Sequence, residues 1–337
     1  SMLGPFSGNG LLLMPANEPA RLAVRQLRVW RTDVTGELVF GDSGPSGRLA
    51  LAGGGVNGTI GLTPRGAGQA VAVNLALRNA VFGGDTGISV RRAQIEGEGL
   101  LAEGRTTLNG STYAEGVTLG TLFLGRVAAR TRLVNGTGEV TAAMSGRRGS
   151  GFDLQLNAAV APQRIAVAAR GEYAGRAIRM PQRAVLVASG DGGWQLQRTQ
   201  ISYGRGTMLA EGRFGGAETS ADLQLARIPL TILDIISPDL GLGGTMSGLV
   251  DFRWGVTAAP TGSAQVKVTG LTRSGLVLTA RPSDLALVAQ LSADRLEARA
   301  TISEDGERRG RLQARITGLP GDGGLAQRLQ RGTLSAQ

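Results

Sequence analysis

The chain has 337 residues, of which 42% are hydrophobic and only 4% aromatic, with 54 glycines and a formal net charge of +10. Neither cysteine nor histidine occurs, which excludes disulfides, thiolate chemistry, imidazole bases and the usual zinc ligands. Glycine at this level, without a repeat of three, points to frequent tight turns and smooth sheet surface.

The charge is almost all arginine, Lys267 being the one lysine. Arginines are spread along the whole chain and few aromatics are available to stack on bases, so they read as a solvated outer face, with attraction to anionic lipid headgroups second and nucleic acid excluded. No apolar run approaches the roughly 20 residues of a membrane-spanning helix, and the run Leu11–Met14 stops at Pro15. The expectation is a soluble segment cut from a longer protein, its closing RGTLSAQ a strand in mid-course and any anchor lying outside it.

From the N-terminus onward the dominant period is two. Val71, Val73, Leu75 and Leu77 alternate with Ala72, Asn74, Ala76 and Arg78, and Phe152, Leu154, Leu156 and Ala158 alternate with Asp153, Gln155, Asn157 and Ala159. Later, Val266 and Val268 stand between Gln265, Lys267 and Thr269, and Leu296, Ala298, Ala300 and Ile302 between Arg295, Glu297, Arg299 and Thr301. Each stretch predicts a strand with one apolar and one wet face. Asn57-Gly58, Asn109-Gly110, Asn135-Gly136 and Asp305-Gly306 predict the turns between them, because Asn, Asp and Gly reach positive φ most easily.

Segments recur every ten to twelve residues, which predicts roughly 25 to 28 short strands. A sheet that wide must twist or curl and turn its apolar face inward. The predicted fold class is therefore all-β, an elongated curled sheet shaped as a groove, with parallel and antiparallel pairing both open. Val, Leu, Ile, Ala and Gly dominate the inward positions, which suits a trough with room. Its predicted lining is Val71, Val73, Leu75, Leu77, Leu154, Leu156, Leu223, Leu225, Val266, Val268, Leu276, Leu278, Leu285, Leu287 and Leu291. A filled β-sandwich or solenoid core has the same pattern.

One stretch breaks the alternation. In IPLTILDIISPDL, residues 228–240, the spacing of Ile232, Leu233, Ile236 and Leu240 predicts one face of a short helix near 230–237, which Pro238 ends. It is expected to cap a sheet unit, burying its stripe against strand ends, or else to act as a flap over the trough. Either way it marks a repeat boundary, and the chain divides into groove repeats at 1–226, a following repeat at 227–318 and the start of another at 319–337.

The stretch GEYAGRAIRMPQRAVLVASGDGGWQLQRTQISYGRGTMLAEGRFGG and the following ADLQLARIPLTILDIISPDLGLGGTMSGLVDFRW resemble the central repeats of the TamB and wider AsmA-like family. Pro229-Leu230, the short apolar helix, Pro238 with Leu240, and the small turn around Gly244, Ser247 and Gly248 carry the likeness. LPGDGGLAQRLQRGTLSAQ echoes the opening of a next repeat, and residues 165–337 are the well-matched part. The resemblance implies a periplasmic groove anchored in the inner membrane of Gram-negative bacteria by a segment absent here. It also implies phospholipid movement between membranes, outer-membrane protein assembly, and a TamA-like outer-membrane partner met by a domain outside this chain.

Other chemistry finds little footing. Glu304, Asp305 and Glu307 lack the spacing of a calcium loop and read as a charged hairpin tip. GLGGTMSG has no phosphate-binding frame, and without histidine or cysteine no hydrolytic arrangement can be assembled. No enzyme, cofactor or metal is expected. The function expected is a hydrophobic groove for phospholipid acyl chains. A scaffold for outer-membrane protein assembly, or a β-solenoid adhesin or passenger, are the alternatives.

Overall fold

Alternation of apolar and polar residues is realised as strands throughout. The computed structural model describes residues 6–16, 18–83, 87–238, 240–255, 259–273, 281–319 and 331–337. The fold is all-β and divides into two compact units, Ser1–Pro162 and Gln163–Gln337. Residue 226, where the sequence places a repeat boundary, lies within a strand of the second unit. Of the segment expected at 319–337, residues 320–330 lie outside the described ones.

The first unit contains eleven strands: β1 (Phe6–Leu13), β2 (Ala20–Val29), β3 (Thr32–Gly41), β4 (Gly44–Gly53), β5 (Val56–Arg65), β6 (Gly68–Phe82), β7 (Ile88–Ala102), β8 (Arg105–Leu119), β9 (Leu122–Val134), β10 (Thr137–Arg148) and β11 (Ser150–Ala161). Each pairs antiparallel with the next, the arrangement that two-residue turns permit.

Asn135 and Gly136 form such a turn, with φ of 50° and 72°. Asn57-Gly58 and Asn109-Gly110 do not. Both lie inside strands, Gly58 opposite Leu51 and Leu75, and Gly110 opposite Gly97 and Thr131. The nearby turns fall at Gly54-Gly55 and at Glu103-Gly104 instead.

In the second unit the strands are β12 (Arg164–Tyr173), β13 (Arg176–Arg179), β14 (Ala184–Ala188), β15 (Trp194–Tyr203), β16 (Gly206–Phe214), β17 (Glu218–Pro229), β18 (Leu242–Gly255), β19 (Thr261–Arg273), β20 (Ser283–Leu291), β21 (Arg295–Glu304), β22 (Glu307–Thr317) and β23 (Thr333–Ala336). All of their described pairings are antiparallel. The described strands number 23 in all, fewer than the sequence period suggests, because β6, β7 and β8 run to 15 residues each.

β13 and β14 are two halves of one sheet position. Both lie between β12 and β15, β13 beside the end of β12 and β14 beside its start. Pro181 separates them, and a proline cannot donate to a ladder.

Curvature in each unit is written into inner-face glycines. A Cβ at Gly47 would stand 2.1 Å from the Glu37 carbonyl oxygen, and one at Gly248 2.0 Å from that of Gln265. The neighbouring strand rolls onto the glycine, which gives a sheet its curl without a covering layer. The first unit encloses a small core at the bend, where Val56, Leu77, Ala80, Val90, Ala93 and Ala114 are buried against Leu51, Leu75, Ile95, Val117 and Val127. In the second unit Pro260 is fully buried, and Tyr173, Tyr203, Ile228 and Leu230 are nearly so, the last four at the end of the sheet where β17 leaves it.

Candidate functional site: the apolar inner face

Residues directly paired across antiparallel strands point to the same side of the sheet, so the registers read out a face. In the first unit one cross-strand row runs Leu51, Gly58, Leu75, Ile95, Thr112, Ala129, Ala142, Leu156. A second runs Val56, Leu77, Ala93, Ala114, Val127, Met144, Leu154. Val73 and Val71 head two further rows, continued by Gly97 and Gly110, and by Gly99 and Leu108. All six of the predicted lining residues of this unit therefore share one face.

The second unit repeats the arrangement. Leu225, Gly248, Val266, Leu287, Ala300 and Leu312 form one row, and Leu223, Val250, Ala264, Ala289 and Ala298 the next. Ile228, Met246, Val268, Leu285 and Ile302 form a third, and Gly262, Leu291, Leu296 and Ile316 a fourth. Leu223, Leu225, Val266, Val268, Leu285, Leu287 and Leu291 thus share one face. Leu276 and Leu278 lie outside the described residues.

How far this face is closed decides what it can do. The wet side of β6 is exposed at Ala72, Asn74, Ala76 and Arg78, while Val71, Val73 and Leu75 are half-buried. Of the described predicted lining residues, only Leu77, Val268 and Leu291, at 7%, 7% and 8% exposure, are buried, beside Val56, Ala93, Ala114, Ile228 and Ala300 in the same rows, and the others are half-buried. Towards β22 and β23 the second unit opens further, with Ile302, Leu312 and Leu334 at 39%, 45% and 64%. Among the described residues, most side chains of the inner face are thus only half-buried.

Electrostatics belongs to the outside. Arg28 Nε donates to Asp33 Oδ1 at 2.7 Å, and this hydrogen bond holds the Asp33 carboxyl below the ordinary carboxylate range. The Tyr113 hydroxyl donates to Glu115, lowering the Glu115 pKa and raising that of the phenol. The acids of the hairpin tip take arginine partners, Glu304 with Arg309 at 3.3 Å and Asp305 with Arg281 at 3.8 Å. Among the described residues no three acidic side chains converge as a metal site.

The helix expected near 230–237 is a 3-10 helix, Leu230–Ile235, and its face differs from the one expected. A three-residue period puts Leu230 and Leu233 on one side. Leu230 and Asp234 are buried, Ile232 and Leu233 half-buried. Ile236 lies just past the helix at 78% exposure, and Leu240 is separated from it by Pro238, so the four do not form one stripe. The Ile236 and Ser237 amides both donate to the Leu233 carbonyl, at 2.9 and 3.0 Å, closing the turn before the proline.

The turn is fastened by residues the sequence reading passed over. The Tyr203 hydroxyl donates to the Tyr173 carbonyl oxygen at 3.2 Å and lies 2.8 Å from Thr231 Oγ1, and the two rings stand 6.3 Å apart. Burial, above all, pushes the Tyr203 phenol up. The signal was available, since Tyr173-Ala174-Gly175-Arg176 and Tyr203-Gly204-Arg205 are the same strand-ending phrase. A second fastening is Asp191, which accepts from the Ser189 hydroxyl and from the Gly193 and Ala217 amides, the last two at 3.2 Å, joining two hairpin ends. A scan against known protein families and searches of curated proteins and of solved structures find no match to this chain.

Proposed function

We propose that the apolar inner face holds the acyl chains of phospholipids and conducts them, and that the chain is a segment of a TamB-like protein of the Gram-negative envelope. In this reading it works in the periplasm, between an inner-membrane anchor and a TamA-like outer-membrane partner met through parts outside this chain. Its role is not catalytic. One observation carries the proposal: adjoining rows of Leu, Val and Ile side chains, most of them half-buried, share one face of an antiparallel sheet among the described residues.

The energetics favour that use. Drawing an acyl chain of about 15 methylenes through water costs roughly 12 kcal/mol, at about 0.8 per methylene. An apolar face offsets most of that cost at each point, and because such contacts are non-directional no single position becomes a trap. Headgroups stay in water at the open side.

Mass spectrometry of the purified chain is expected to find co-purified phospholipid, and photo-crosslinkers at Leu75 and Leu287 are expected to capture it. Detecting neither overturns the proposal. A scaffold for outer-membrane protein assembly is the second reading, favoured by the exposed apolar strand β1, with Leu11, Leu12 and Leu13 all exposed beside a ladder edge to which a client strand can pair. Crosslinks to nascent barrel protein in place of lipid would support it. Antiparallel pairing and a half-open interior run against the β-solenoid alternative.

A further inference from the structure

The corner of the second unit where β17 leaves the sheet gathers a chemistry that the inner face does not use. Ile235 and Ile236 stand adjacent at 39% and 78% exposure, on a turn whose own fold does not need them. That turn is already held by buried Leu230 and by the hydroxyl pair of Tyr203 and Thr231. Two aliphatic side chains are therefore presented to water on a fixed support.

Three exposed arginines share the corner. Gly204, in the turn before β16, approaches both the Arg176 side chain and Pro229, and Arg205 follows it in the same turn. Gly206 packs against the Arg227 backbone. Arg227 sits in a bulge of β17 with φ of 52° and its amide on Ser247 Oγ at 2.8 Å, so the irregular backbone there is held in place, and bulges of this kind re-aim side chains. The one carboxylate of the 3-10 helix, Asp234, is buried, and the exposed part of the helix carries no negative charge.

We infer that this corner docks on an anionic phospholipid surface, with Ile235 and Ile236 entering the headgroup region and Arg176, Arg205 and Arg227 against lipid phosphates. Aliphatic residues at the tip with arginine around them match the layering of such a surface, apolar below and phosphate above. The inference goes beyond the conduit, because it concerns the end of the unit rather than its inner face.

The purified chain is sedimented with vesicles of phosphatidylglycerol and phosphatidylcholine, and with phosphatidylcholine alone. Binding is expected only to the anionic vesicles and is expected to fade as salt rises. I235S/I236S should lower the partition coefficient about tenfold or more, R205Q/R227Q should reduce binding to the phosphatidylcholine level, and L249S, at a comparably exposed leucine (55%) on the outer face, should leave it unchanged. Circular dichroism confirms that each variant folds. Absence of binding by the intact chain, equal binding by I235S/I236S, or equal loss in L249S overturns the inference. Uptake of a fluorescent fatty acid by the inner face, read on the same samples, separates the two proposals: uptake without vesicle binding sinks the docking corner alone, and vesicle binding without uptake sinks the conduit alone.

Discussion

The inner faces of the two units are built on the same alternation but paved differently. From β7 to β10 the first unit carries Gly97, Gly110, Thr131 and Val140 along one row and Ile95, Thr112, Ala129 and Ala142 along another. From β18 to β20 the second carries Met246, Val268 and Leu285 along one row, and Gly248, Val266 and Leu287 along another. The first floor leaves depth above it, and the second offers more apolar area per residue. Glycine itself plays two parts. At Gly47 and Gly248 the neighbouring carbonyl sits where a Cβ would go, whereas at Gly97 and Gly110 the nearest atoms are 3.7 and 3.4 Å away. The first kind bends the sheet and the second clears space.

That distinction can be broken most sharply by substitution at the two kinds of glycine. Gly248→Val forces the backbone apart at a φ of 154° and is expected to cost about 3 kcal/mol or more, read as a fall in the denaturation midpoint. Gly97→Val should shift stability by less than about 1 kcal/mol, because a β-branched residue suits an extended strand with room beside it. Equal losses at both sites would refute the division.

Next in size is the effect of a charge on the apolar floor. Leu287→Glu is expected to reduce co-purified lipid about tenfold, since a carboxylate in the face must stay hydrated and so excludes the chain. Thr131→Glu in the roomier first unit should reduce it less, and a reversed order would show that depth rather than apolar area sets capacity.

Smaller again is Tyr203→Phe, which removes the hydroxyl from the Tyr173 carbonyl and Thr231 and should cost about 1 kcal/mol without altering lipid content. Smallest is the acid limb. Asp33, Glu115 and Asp191 all have depressed pKa values, each chiefly through a side-chain hydrogen bond. A carboxylate whose folded pKa lies below its unfolded value stabilises the fold above the unfolded value, near pH 4, and loses that contribution as pH falls through the folded one. Denaturation midpoints should therefore stay level from neutral pH to about 5 and decline below about 4, and Asp191→Asn should make the decline slightly shallower.

Most of the site was legible because a strand with a single wet face states its inward residues outright. Val71 to Leu77 needed only a period of two. Neighbour relations were harder to read. Asn57-Gly58 spells the same dipeptide as Asn135-Gly136, and only the pairing of Gly58 with Leu51 and Leu75 shows that its glycine makes room inside a strand rather than a turn. The helix at 230–235 was placed correctly along the chain, but a 3.6-residue period put Ile236 on its buried face. The 3-10 helix ends at Ile235, one residue short, and Ile236 stands exposed past its end. Antiparallel order follows from turn lengths, which the sequence obscured wherever an inner-face glycine imitated a turn.

The interruption at Pro181 has a consequence for how the second unit can be altered. Because β13 and β14 each hold their own register against β12 and β15, residues 180–183 transmit no alignment from one half to the other. Extra residues inserted after Gln182 lengthen a surface excursion while every ladder stays in phase, whereas a single residue inserted within β19 turns half of that strand inside out. The seam at Pro181 is thus where this unit can accept a foreign segment, such as a reporter or an epitope, with its apolar floor undisturbed.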